Sequence, residues 1–262
     1  MPTLLAALER YARSSEPTPE SVLRQLVEHA GWFVPVGFAP TVLQGPTLEH
    51  VCQWGDGDNL RDHRLRLYTS AEAGAAALAA GVSMGAYGGP LRGDLVFANL
   101  RDEVELDINL PIASHVYIRS VLVDSIRRLA RGITLEHAFV GNRGNLIELL
   151  QTAEAFDVLV HPEHGIATAN GAGGLTNPVM AFTARDCLMM LVKSMDTHAS
   201  ELHTGSAPVL TLLENLEKGE CDGLLLNPLG PGPTTLLDRD AALALLADLR
   251  KANREACHPT DS

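Results

Sequence analysis

The run Cys221-Asp222-Gly223-Leu224-Leu225-Leu226-Asn227-Pro228-Leu229-Gly230-Pro231 ends a short apolar segment on a cluster of turn-forming residues. An unbroken apolar run bounded in this way reads as a buried strand, Asp222 to Leu226. Asn227 tolerates unusual backbone angles, Pro228 fixes the next φ, and Gly230 and Gly232 are expected to permit a tight reversal. The turn, Asn227 to Pro233, leads into a last strand, Thr234 to Leu237, and a helix from Asp240 to Ala256. Upstream, Pro208 to Lys218 has helical spacing and Gly219 ends it. Helix, buried strand, turn, strand and helix in succession is α/β order.

Further back, Asn145 to Ala155 is helical and Phe156 to Val160 is a strand. His161 to Gly174 is a loop, Val179 to Phe182 is a strand, and Thr183-Ala184-Arg185-Asp186 opens a helix. The first half gives a similar order. Thr18-Pro19 starts a helix that Gly31 ends, with proline where its missing N–H costs nothing. Trp32 to Phe38 reads as a strand, and because Pro35 cannot donate to a ladder the strand is expected at an edge or with a bulge. Residues 39 to 62 read as an exposed loop. Arg64 to Tyr68 is a strand, and Thr69-Ser70-Ala71-Glu72 fits a capping box at the start of a helix. Asp94 to Leu100 and Glu103 to Leu110 look like strands, and Ile112 to Arg131 suits a helix ending at Gly132.

Two alignments suggest a duplication. Leu67-Tyr68-Thr69-Ser70-Ala71-Glu72 matches Ala181-Phe182-Thr183-Ala184-Arg185-Asp186, and Asp94 to Asn99 matches Asp222 to Asn227. Ala181-Phe182-Thr183 opening a helix, followed by the D-G-(apolar)₃-N-P-x-G-P run from Asp222 to Pro231, resembles the N-terminal domain of the SseB family. That family is named for enhanced serine sensitivity in bacteria. The resemblance covers about residues 145 to 250 directly, with 18 to 131 as a degenerate copy carrying Asn99-Leu100-Arg101 in place of the turn. It implies a mixed-sheet α/β domain and brings no established catalytic chemistry. The expected fold is therefore α/β, of the α+β type, with two similar units, each a small mixed sheet flanked by helices. They are laid out as an N-terminal helix (1–17), a first unit (18–131), a linker (132–143), a second unit (144–256) and a frayed tail (257–262).

At 262 residues the chain has room for two domains with a core each. Hydrophobic residues make up 46% and charged residues 20%, a globular composition that argues against disorder. The net charge of −12, spread along the chain, opposes nucleic-acid backbones and anionic membrane surfaces. The densest basic cluster, Arg127, Arg128 and Arg131, falls near the end of an expected helix, where the helix dipole favours cations. No apolar run approaches the roughly 18 to 20 residues of a membrane span, and Met1 to Glu16 lacks a signal-peptide pattern. The 4 cysteines form no C-x-x-C pair and are expected as reduced thiols in the cytoplasm.

Each constellation tested for chemistry is weak. His161-x-x-His164 and the pair His198 and His203 lack the spacing of a zinc motif. Cys187 and His161 could be drawn as a nucleophile pair, yet Cys187 lies within a helix, where a cysteine more simply packs as a small hydrophobe. Gly171-Ala172-Gly173-Gly174 lacks the Lys-Ser/Thr of a phosphate loop, Gly141 to Asn145 reads as a linker, and no G-x-S-x-G elbow is present. The expectation is a non-catalytic interaction or accessory module of a bacterial cytosolic system. It is expected to take no metal or cofactor and to bind a protein partner rather than nucleic acid or membrane. Its candidate interaction or ligand loop is Asp222, Asn227, Pro228, Gly230 and Pro231. Its candidate acidic interaction face is Glu103, Glu105 and Asp107, alternating along a strand. A small-molecule-binding regulator is the alternative, with its ligand near that turn or in the loop from His161 to Asn177, and an enzyme of unrecognised type comes third.

Overall fold

The computed structural model describes residues 20–36, 64–81, 86–98, 104–109, 115–141, 145–153, 155–169, 171–195 and 201–257, with Leu4, Ala6, Ala7, Arg10 and Leu100. The chain divides into two compact units, Met1–Arg131 and Gly132–Ser262. Both are α/β, with sheets that mix parallel and antiparallel pairs.

The elements of the first unit are α1 (Glu20–Glu28), β1 (Trp32–Val36), β2 (Arg64–Leu67), α2 (Ala71–Ala79), β3 (Ala86–Leu91), α3 (Gly93–Ala98), β4 (Glu105–Ile108) and β5 (Val116–Ile118). Helix α4 (Ser120–Val140) carries the division between the units. Strand β4 runs parallel to β2 and antiparallel to β5. Strand β1 pairs antiparallel with β3, and a bridge from Phe33 to Tyr68 joins it to β2 through bonds of 2.8 and 2.9 Å. Pro35 thus lies in a strand whose one ladder, among the described residues, is to β3, and the expected irregularity appears as a register shift between Trp32 and Val34. Leu65, Leu67, Leu106, Ile108, Val116 and Ile118 are buried, as the central and flanking strands of one sheet require. The Trp32 indole N–H, which needs a partner once buried, donates to the Leu26 carbonyl at 3.0 Å.

Three expectations for this half are corrected. Asp94 to Leu100 is not a strand, because Gly93–Ala98 is helical. Arg92 pairs with Asp94 at 2.6 Å, placing the carboxylate in the first turn where the helix dipole favours it. Val96, Phe97 and Leu100 then bury at helical rather than alternating spacing. Second, the cap of α2 is Ser70, whose Oγ accepts the Ala73 N–H at 3.2 Å, and not Thr69. Third, the helix expected over Ile112–Arg131 begins only at Ser120, after β5, and does not stop at Gly132, since α4 runs on to Val140 through most of 132–143. A β-carbon at Gly132 would collide with the Thr183 carbonyl oxygen, so this glycine serves close approach rather than termination.

The second unit continues with α5 (Leu146–Thr152), β6 (Phe156–His161), β7 (Gly165–Ile166), β8 (Val179–Phe182), α6 (Arg185–Ser194), β9 (His203–Ala207), α7 (Val209–Lys218), β10 (Gly223–Leu226), β11 (Thr235–Asp238) and α8 (Arg239–Cys257). Strand β10 is parallel to β8 and antiparallel to β11, while β6 is antiparallel to β7, β8 and β9. All four residues of β10 are buried, as an unbroken apolar run in a central strand demands. Leu224 and Leu226 share a core with Leu212 and Leu216 of α7 and with Leu246 and Leu249 of α8. Gly219 closes α7 at φ 82, the left-handed cap that glycine takes without steric cost.

With the two-residue β7 set aside, the order across the second sheet is β9-β6-β8-β10-β11. In the first unit β1-β3 and β2-β4-β5 are separate sheets, and the single Phe33–Tyr68 bridge sets β1 beside β2, giving the sequence β3-β1-β2-β4-β5. Counted along each half of the chain, both read third, first, second, fourth, fifth. Among the described residues, no helix is long and apolar enough to cross a membrane.

Candidate functional site

Strands β8 and β10 are parallel neighbours, so the residues that leave their ends, Thr183 and Asn227, emerge side by side. The Asn227 N–H donates to the Ala181 carbonyl at 3.0 Å, which extends the ladder by one bond. Asn227 then turns left-handed at φ 52, a conformation that asparagine adopts more readily than other side chains. This aims its carboxamide at Thr183. Its Oδ1 accepts the Thr183 N–H at 3.0 Å, and its Nδ2 donates to Thr183 Oγ1 at 2.9 Å.

The same geometry closes the first unit. Asn109 follows β4 at φ 58, and its N–H donates to the Leu67 carbonyl at 2.8 Å. Its Oδ1 accepts the Thr69 N–H at 2.9 Å, and its Nδ2 donates to Thr69 Oγ1 at 3.0 Å. The structural counterpart of Asn227 is therefore Asn109. The alignment of Asp94–Asn99 with Asp222–Asn227 is overturned, since it sets α3 against β10. The alignment of Leu67–Glu72 with Ala181–Asp186 coincides with the shared geometry.

In the second unit a buried carboxylate joins this pair. Gly132 packs on the Thr183 carbonyl, and one helical turn later Glu136 points to the same place. Glu136 is 3% exposed, and a carboxylate so placed must recover its lost hydration through donors. Its Oε1 takes them from Thr183 Oγ1 at 3.1 Å, Asn227 Nδ2 at 3.4 Å and Cys187 Sγ at 3.5 Å. Thr183 Oγ1 also lies 3.3 Å from Asn227 Oδ1, but a hydroxyl has one proton. The closer, charged acceptor takes it. Thr183 and Cys187 thus spend their donors on Glu136 inside the fold.

The turn winds around this carboxylate. A β-carbon at Gly232 would collide with the Glu136 carboxylate, and one at Gly230 would come within 2.8 Å of Cys187 Cβ. These glycines serve close packing. The left-handed positions of the turn are instead Asn227 and Leu229, the latter at φ 59, which corrects the expected division of labour. Pro228 is buried and Pro231 exposed. Leu229, between them, is 64% exposed, a large apolar side chain held outward on a backbone conformation that costs it energy.

The other candidates fall elsewhere. Asp222 lies at the opposite end of β10 and is a loop anchor, accepting the Thr176 and Asn177 N–H groups, the latter at 2.9 Å. Asp107 is no part of a solvated acidic face, being 5% exposed in the middle of the first sheet with its Oδ1 3.0 Å from His115 Nε2. Glu105 is half-buried beside it, and Glu103 lies outside the described residues. His161 and His164 stack with ring centroids 4.5 Å apart. His161 Nδ1 accepts the Glu163 N–H at 3.1 Å, so in the neutral ring the proton sits on Nε2, 3.6 Å from Glu201. Among the described residues, no group of three or more His, Cys, Asp or Glu side chains is arranged to hold a metal ion. His198 and residues 142–144 are outside the described set.

Burial pushes the Cys221 thiol up from its ordinary pKa of 9.0, with Glu220 and Asp222 adding to the shift. Sequence reasoning missed Asn109 and Leu229, and above all Glu136. Its signal was present: Ile126, Leu129, Ile133 and Glu136 follow one helical stripe, and an acid on an apolar stripe must be satisfied internally.

No protein-family model matches the chain, and no curated protein matches it at a significant level.

Proposed function

We propose that this protein is a non-catalytic accessory module, built as two copies of an SseB-like unit, that docks on a protein partner through the Asn227–Gly232 turn of its second unit. The observation that carries the reading is Leu229. It is 64% exposed and left-handed, on a turn fixed from beneath by Asn227 and Glu136. A strained, outward apolar residue on a rigid base is a pattern of recognition sites, where the strain is offset by the rest of the fold. The common strand order and the repeated Thr–Asn pairing support descent of both units from one ancestor. The hydroxyl and thiol nearest the turn are bonded to Glu136, which favours a docking role for the turn over a chemical one.

The test compares proteins captured from the native host by wild type, Leu229→Asp and Leu229→Gly at moderate salt. Wild type should recover one partner in stoichiometric amount, and both variants should lose it. Leu229→Gly relieves the left-handed strain while loosening the unfolded chain, so its stability should stay within about 1 kcal/mol of wild type. Equal recovery of the same partner by all three proteins would remove the turn from the interaction.

A further inference from the structure

We draw no further inference here: the strongest candidate, the Asp107–His115 pair on the sheet face of the first unit with Arg66 and Tyr117 in register beside it, sets acid against base within the fold, and nothing in the structure shows what covers it.

Discussion

Asn227 reaches back 44 residues to hold Thr183 by both its backbone N–H and its hydroxyl, and Asn109 holds Thr69 in the same way across 40 residues. In each unit the bond joins the ends of two parallel strands, where the ladder stops and backbone donors would otherwise be left unmet. The pairing needs asparagine twice over, once for its left-handed backbone and once for a side chain that both donates and accepts.

Replacing either asparagine separates those two needs. Asn227→Gly keeps the backbone angle and loses the side-chain bonds, whereas Asn227→Ala loses both. Alanine should cost about 2–4 kcal/mol in urea unfolding, and glycine about 1–2 kcal/mol less than alanine. The same order is expected for Asn109→Ala and Asn109→Gly. Equal costs for alanine and glycine would show that the left-handed angle carries no energy.

Gly132→Ala should reverse the usual sign. An alanine in mid-helix ordinarily stabilises by about 1 kcal/mol over glycine. Here the added methyl meets the Thr183 carbonyl and Ala184 side chain, and overpacking of this kind costs about 1–3 kcal/mol. A melting temperature raised by the substitution would mean that α4 and the start of α6 are further apart than described.

Glu136→Ala removes an acceptor shared by Thr183 Oγ1, Asn227 Nδ2 and Cys187 Sγ and leaves a cavity. Stability should fall by about 2–3 kcal/mol, since Thr183 Oγ1 can turn to Asn227 Oδ1 and Asn227 Nδ2 keeps Thr183, while the cavity and the lost charge-assisted bonds remain as costs. Hydrogen exchange should quicken most at the Gly230 amide, which closes the turn by a 3.2 Å bond to the Asn227 carbonyl. Uniform quickening throughout the unit, with no excess in the turn, would show that Glu136 supports the core at large rather than the turn.

The raised thiol of Cys221 gives a prediction in pH. A folded-state pKa above the unfolded value means that the native state keeps its proton while the unfolded state loses it. This contribution is fully present below the ordinary value of 9.0 and is lost as pH climbs above it. Cys221→Ala should flatten the stability curve on that alkaline limb, and native Cys221 should react slowly with a thiol reagent at pH 8. Rapid native labelling at that pH would contradict the shift.

The sequence made most of the second half legible because its signals agree, although β9, with no apolar alternation in His203–Ala207, was not expected as a strand. Leu224 to Leu226 has no polar residue to suggest an exposed face, Gly219 marks the end of α7, and the parallel pairing of β8 with β10 follows from the helices lying between them. The first half mixes its signals. Asp94 to Leu100 is apolar enough for a strand, and only the Arg92–Asp94 pair and the 96, 97, 100 spacing reveal a helix. Gly132 reads as a stop until the Thr183 carbonyl explains why a helix needs a glycine there. The turn at Asn227 was visible from its residue types, but the roles within it were not. Which residues turn left-handed and which merely make room depends on Glu136 and Cys187, contacts 91 residues and 43 residues from Asn227 and Gly230, respectively.

That 91-residue reach sets an order of events during synthesis. Glu136 leaves the ribosome long before Asn227 exists, so its carboxylate must stay hydrated while α4 forms. Burying it early would strand a charge with no donors to receive it. The second unit is therefore expected to complete its fold only after β10 and the turn have been made, late in translation. A nascent chain stalled before Asn227 should be held open at this point and be cut readily by protease.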